Sequence, residues 1–404
     1  MSADAAAPRH VTLRTCRSEQ DFSVGTHQGT QVTGAGLSFG KPAGTLTYAD
    51  PYGDQPSVPR GYEWVAWVSP AVGTPFLTTS LIPSWNATTP DGSWLVVEAR
   101  TQAGGRWSRW FTLARWADSD CEIHPTSVPG QDEPAIRVAT DTLEALDGSA
   151  WASYQLRVVL VRPPGSRSTP TVRMLAAMAS DVPAEAPGEV SDGGVAWGVE
   201  LPVPPYSQQL HRGRFTHWDS GGGSWCSPTS TSMLLSFHDR LPDPAEYAWV
   251  DPGQPDRFVV QAVRQVFDPA YRGAGNWSFN MAYAGRVGVT AFVTRLRSLA
   301  EAELFVAAGL PLAASVAFAR DDLRGAGYAT EGHLLTIVGF TAEGDVICND
   351  PASHTVPSND EVRVVYDRAE FERVWLGSAG GVVYVVHPDD VPLPAVPNSG
   401  EPNW

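Results

Sequence analysis

The sequence predicts a multidomain chain, with an N-terminal antiparallel β-sandwich followed by a C-terminal α+β domain. Three observations predict it: short strands cut by turns over 21–181, a Pro-, Gly- and acid-rich connector over 182–200, and a change of texture over 201–388, where helical periods come first and strands afterwards. The 404 residues, 43% of them apolar, are enough for more than one buried core. Residues 1–20 read as an N-terminal tail and 389–404 as a Pro-rich tail.

In the first half, Tyr62–Val68, Trp94–Arg100, Trp107–Leu113, Tyr154–Val161 and Thr171–Ala176 each mix β-branched, aromatic or other large apolar residues. Pro90-Asp91-Gly92, Gly104-Gly105, Asp147-Gly148 and Pro163-Pro164-Gly165 separate them as turns. No stretch here sustains a helical period over three turns, which leaves an antiparallel sandwich. It resembles the jelly-roll modules that accompany many secreted hydrolases. Many of the 15 tryptophans lie in this half, and they fit either a large β-core or a surface on which sugars stack.

The second half opens with a helix over Ser227–Phe237. Next comes one over Pro255–Phe267, where Phe258, Val259, Ala262, Val263 and Val266 recur at helical spacing. A third, Leu299–Ala308, is stopped by Gly309. Strands follow at Pro311–Phe318, Leu334–Phe340, Asp345–Cys348, Glu361–Tyr366 and Gly381–Val386.

Charge removes whole classes of function. There are 28 basic and 44 acidic side chains, a formal net charge of −16, so no basic face is expected for nucleic acid. The single lysine, Lys41, lies in Gly36-Leu-Ser-Phe-Gly40-Lys41-Pro42, whose spacing is wrong for a phosphate loop. The longest nearly uncharged apolar stretch, Leu304 to Ala319, is too short and too interrupted to span a bilayer. The N-terminus lacks the pattern of a secretory signal, so the sequence leaves open a cytoplasmic protein or one whose leader has been removed. Cys16, Cys121, Cys226 and Cys348 are too widely spaced for a metal pair, and no metal or cofactor is expected. Asn86-Ala-Thr88 and Asn276-Trp-Ser278 fit the glycosylation pattern, which carries no weight alone.

Chemistry concentrates around Cys226. A glycine run, Gly221-Gly222-Gly223, delivers it to the first turn of a helix, where free backbone N–H groups and the helix dipole favour a thiolate. A cysteine there is either a nucleophile or a small buried side chain. His333 follows Gly332 at the start of the apolar run Leu334–Phe340, where its ring would sit at a strand end facing a cleft. Seventeen residues on, Val346-Ile-Cys-Asn-Asp350-Pro351 ends a second strand in a carboxylate, either a turn initiator or the group that orients an imidazole. Cys348 reads as core packing, and His211, His217 and His238 as solvated loop residues.

Together these residues resemble the papain-like cysteine peptidases of the C39 type and their C39-like relatives. The likeness rests on Val203-Pro-Pro-Tyr206-Ser207-Gln208, on Trp225-Cys226-Ser-Pro-Thr-Ser-Thr-Ser-Met233, on Gly332-His333 and on Asn349-Asp350-Pro351. The resemblance implies a papain-like C-terminal domain with Cys226 as nucleophile, His333 as general base and acid, Asp350 as its orienter and Gln208 as oxyanion donor. The family usually carries Gly where this chain has Ser227. A peptide or protein substrate is implied, as is a secreted or cell-surface bacterial protein, with a carbohydrate or cell-wall ligand for the sandwich left open. The alternatives are a catalytically idle binding module and a cell-wall amidase or transglutaminase-like thiol enzyme.

Overall fold

The computed structural model describes residues 7–53 and 58–404. They fall into two compact units: residues 13–179 with 265–286, and the stretch up to Thr12 with 180–264 and 287–404. The first is rich in antiparallel sheet and the second is α+β. Among the described residues no helix is long and apolar enough to cross a membrane.

The sheet-rich unit contains a seven-stranded and an eight-stranded sheet. In the first, Ser80–Thr88 and Thr171–Asp181 lie side by side at the centre; in the second, Trp151–Arg162 lies between Trp94–Ala103 and Arg60–Val68. Alternation explains the burial: Leu156, Val158 and Leu160 point into the core, while Gln155, Arg157 and Val159 are half-exposed. Trp67, Trp85, Trp94, Trp116 and Trp151 are all buried, so much of the tryptophan count is core material. The strand expected over Trp107–Leu113 is two, Arg106–Trp107 and Phe111–Trp116, both paired with Trp94–Ala103.

One helix of this unit comes from far along the chain. Trp277–Gly285 packs on Ser80–Thr88, with the Phe279 ring 6.1 Å from that of Trp85 and 5.2 Å from that of Trp116. Asp141 accepts hydrogen bonds from the Trp277 and Ser278 N–H groups at 2.5 and 3.4 Å, and Ser278 Oγ donates to the Pro83 carbonyl at 2.7 Å. Sequence periodicity gave no helix here.

The α+β unit is built on a six-stranded antiparallel sheet in the order Thr290–Arg295, Val382–His387, Leu312–Phe318, Thr330–Phe340, Val346–Asn349, Arg363–Tyr366. Helix Cys226–Phe237 lies against three of these strands. It is buried almost all round despite its hydroxyls, because they are bonded: Thr229 Oγ1 donates to the Trp225 carbonyl at 2.7 Å, Ser230 Oγ to that of Leu334 at 3.1 Å, and Ser232 Oγ to that of Pro228 at 2.8 Å. The helices expected over Pro255–Phe267 and Leu299–Ala308 are Arg257–Val266 and Leu299–Ala307. Strand Thr290–Arg295 and helix Arg368–Ser378 were not anticipated. The helix does carry a readable start, since Asp367 caps it by accepting from the Glu370 N–H.

Three segments expected to be irregular are held in place. Of the N-terminal tail, residues 1–6 lie outside the described residues. His10–Cys16 is a strand paired with Thr171–Asp181, and Ser18 and Asp21 form a capping box on helix Glu19–Ser23. In the connector, the buried Glu303 carboxylate accepts from the N–H groups of Gly194, Val195 and Ala196 and from Trp197 Nε1. At the Pro-rich end, Asn403 is fully buried and donates to the Arg295 carbonyl and to Glu301, each at 2.9 Å. The two glycosylation patterns fall on the buried Asn86 and Asn276. Composition reads the connector and the C-terminal end as coil, and neither forms a long element. It could not reveal the buried Glu303 carboxylate that satisfies the connector's backbone.

Candidate active site

Cys226 is the first residue of its helix and is partly exposed. The loop before it is packed tightly: a Cβ at Gly222 would collide with the Gln208 carbonyl and with the backbone of His211 and Arg212, so only glycine fits. Gln208 opens a short 3-10 turn, Gln208–His211, against that loop. Its Nε2 donates to the Gly223 carbonyl at 2.8 Å and its backbone N–H to that of Pro351 at 3.0 Å. The amide is thus tied both to the Cys226 loop and to the residue after Asp350. One of its two side-chain N–H donors is used in this way.

His333 and Asp350 come from neighbouring strands, Thr330–Phe340 and the end of Val346–Asn349. The strand begins three residues before His333, so the imidazole is not at its very end. The ring is 3% exposed and its Nε2 bonds Asp350 Oδ1 at 2.8 Å. The Cys226 side chain is near enough to act on the same imidazole, raising its pKa.

The electrostatics follow from this contact set. Burial alone would lower the His333 pKa, but the Asp350 charge, Cys226 and the hydrogen bonds to both outweigh it and push the imidazole well above its ordinary value. Burial alone would raise Asp350; the His333 charge and the bonds from His333, Tyr366 and Tyr328 hold it below the usual carboxylate range. The Asp350 carboxylate therefore favours the protonated form of the His333 imidazole.

Sequence reading missed the two phenols. Tyr328 Oη and Tyr366 Oη both donate to Asp350 Oδ2, at 2.8 and 2.7 Å, and the Ala352 N–H donates to Oδ1 at 2.9 Å. Burial, then the neighbouring carboxylate charge, raises both phenol pKa values, so both stay protonated as donors. Ser227, which stands where the family usually has Gly, is fully buried and hydrogen-bonded to Tyr384 Oη at 2.8 Å.

Among the bystanders, burial pushes the Cys348 thiol well above its ordinary pKa, as expected of core packing. His211 is not a solvated loop residue: it is fully buried, with its ring 5.4 Å from that of Trp225, and burial followed by Arg214 lowers its pKa to about 4. His238 is half-buried against the Val386 carbonyl, and only His217 is exposed. Among the described residues no three His, Cys, Asp or Glu side chains are grouped to hold a metal ion.

A partly exposed thiol at a helix start and a buried His–Asp pair are the groups that thiol acyl transfer draws on. Residues 200–382 match the Peptidase_C39 like family, and residues 12–180 match the Peptidase C39 N-terminal domain. The chain belongs to the C39-like peptidase family. No curated protein matches it. Among solved structures, one described as a C39-like peptidase from Bacillus anthracis is 18% identical and covers 46% of this chain and 96% of its own. Its TM-score of 0.29 is too low to bear on the fold.

Proposed function

We propose that this chain is a papain-like cysteine peptidase that hydrolyses peptide bonds. The observation that carries the reading is the buried His333, bonded to Asp350 at 2.8 Å and near enough to Cys226 for that side chain to act on its imidazole. Family membership supports a cysteine-peptidase-like function. The Cys226 helix set against an antiparallel sheet that bears the histidine and the carboxylate supports a papain-like fold.

In this reading the Cys226 thiolate attacks the carbonyl carbon, and the C=O electron pair becomes an oxyanion. The second Nε2 N–H of Gln208 and the backbone N–H of Cys226 donate to that oxygen. Collapse of the intermediate breaks the C–N bond, and the leaving amine takes the proton held by His333, leaving a thioester. His333, now neutral, accepts a proton from water as its oxygen attacks the thioester; the acid leaves and the thiolate and imidazolium return. Asp350 keeps the imidazole in place and balances its charge. The Ser227 side chain, bonded to Tyr384, is engaged in the core and not with the thiol. The resemblance also carries a secreted or cell-surface bacterial setting and peptide or protein substrates. A carbohydrate or cell-wall ligand would belong to the sandwich.

Alkylation tests this directly. Iodoacetamide is expected to label Cys226 far faster than Cys16, Cys121 or Cys348, with the advantage lost in His333→Ala. Turnover of a peptide library should vanish in Cys226→Ala. In Gln208→Ala it should fall about a hundredfold, since an oxyanion donor contributes about 3 kcal/mol. A Cys226→Ala protein as active as wild type would overturn the reading.

A further inference from the structure

The loop that delivers Cys226 joins with Trp249, beyond the Cys226 helix, in an aromatic cluster that the catalytic set leaves unused. Phe215 and Trp218 are half-buried and stacked, with centroids 5.8 Å apart and planes at 19°. Trp249 meets both edge-on, at 6.3 and 5.9 Å and at 81° to each, and is 42% exposed. Its indole is fixed, because Nε1 donates to Gln261 Oε1 at 2.7 Å and the Arg264 guanidinium lies 5.0 Å from the ring centroid.

The cluster is joined to the nucleophile. Trp225, fully buried, lies 6.3 Å from Phe215, donates from Nε1 to the Trp218 carbonyl at 2.9 Å, and is followed in the chain by Cys226. The loop also holds three residues without glycine's freedom in left-handed backbone: Phe215 at φ 49°, Asp219 at φ 49° and Ser220 at φ 59°. Each such residue is strained, and for a bulky side chain such as Phe215 the conformation is rare. Leaving a large indole surface in water is itself unfavourable. The strained loop and the exposed Trp249 indole beside it are two costs that packing alone does not require.

We propose that Phe215, Trp218 and Trp249 form a substrate subsite that takes an aromatic side chain of the peptide being cleaved at Cys226. A ring entering the corner between the stacked pair and the perpendicular indole can stack on one wall and meet the other edge-on, the two arrangements that aromatic pairs favour. The inference rests on the cysteine peptidase reading for its substrate, and it sharpens that reading from any peptide to one with an aromatic residue near the scissile bond.

The test uses the full chain and two series of chloroacetamides, N-phenylalkyl and N-alkyl, of matched and rising linker length. In each case the cysteine sulfur displaces chloride to form a thioether. Rates at Cys226 are read by peptide mass mapping and divided by those at the exposed Cys121, which cancels intrinsic reagent reactivity. At the best linker length the normalised aryl-to-alkyl ratio at Cys226 is expected to be about tenfold. The gain should lie in the half-saturating concentration and not in the limiting rate. Trp249→Ala should bring the ratio towards one, and Trp249→Leu, which keeps apolar surface without the ring, should do the same. A ratio near one at every linker length overturns the subsite, as does an aryl advantage that both variants leave whole. The peptidase reading fails separately: if plain iodoacetamide labels Cys226 no faster than Cys121, that reading falls, while the aryl-to-alkyl ratio still reports on the subsite.

Discussion

Asp350 is the residue on which most of the site converges. It is fully buried and accepts from His333 Nε2 and the Ala352 N–H on one oxygen and from Tyr328 and Tyr366 on the other. Its folded pKa is held below the unfolded value, so its stabilising contribution is present above the unfolded pKa and is lost as pH falls through the folded one. A hydrogen bond to a charged group contributes about 1.5–3 kcal/mol. Tyr366→Phe should therefore lower the unfolding free energy by about that much at pH 7. The gap to wild type should close as acid protonates Asp350, which urea unfolding followed across pH would show. A deficit independent of pH would mean that the phenol acts only by packing. His333 and Asp350 were legible because each sits beside a local signal, a glycine before an apolar run and an Asn-Asp-Pro turn. The phenols, 22 and 16 residues from Asp350, leave no such mark. A tyrosine that donates to a distant carboxylate looks in sequence like any strand or loop tyrosine.

At the scale of elements, legibility followed the source of stability. Helix Arg257–Val266 was readable because it has one apolar face, and Cys226–Phe237 because a glycine run and a proline mark its start. Trp277–Gly285 was not, since eight of its nine residues are buried and its apolar pattern has no period to detect. Beyond its own N-cap, Asn276, its place is set by tertiary contacts: Asp141 at its N-terminus, and Phe279 against two tryptophans. Phe279 is fully buried in an aromatic core, and truncating such a ring costs about 3–5 kcal/mol. Phe279→Ala should lower the unfolding free energy of the sandwich by that amount, seen as a lower denaturant midpoint in the fluorescence of its tryptophans. An unchanged midpoint would remove the helix from the core.

For the molecule as a whole, chain order and compact units do not coincide. The stretch matching the C39-like family runs over 200–382, yet residues 265–286 inside it belong to the same unit as 13–179. The composition break at the connector marked a change of texture but could not show a segment returning across it, because such a return is written only in which surfaces are complementary. The physical consequence concerns folding. A chain ending at Asp181 contains every sandwich strand but lacks Phe279, leaving Trp85 and Trp116, both fully buried in the intact protein, without the ring that covers them. It also leaves Asp141 without the Trp277 and Ser278 N–H groups that satisfy it; its carboxyl, whose pKa burial already raises to about 6 in spite of those bonds, would gain water in their place. The shortened chain is therefore expected to melt below the sandwich transition of the full protein and to bind a hydrophobic dye. A peptide of residues 265–286 added in trans should raise its melting temperature by mass action in proportion to the logarithm of its concentration. The same peptide with Phe279→Ala should do so weakly. A shortened sandwich as stable as the full one, indifferent to the peptide, would mean that the helix rests on the sandwich without completing it.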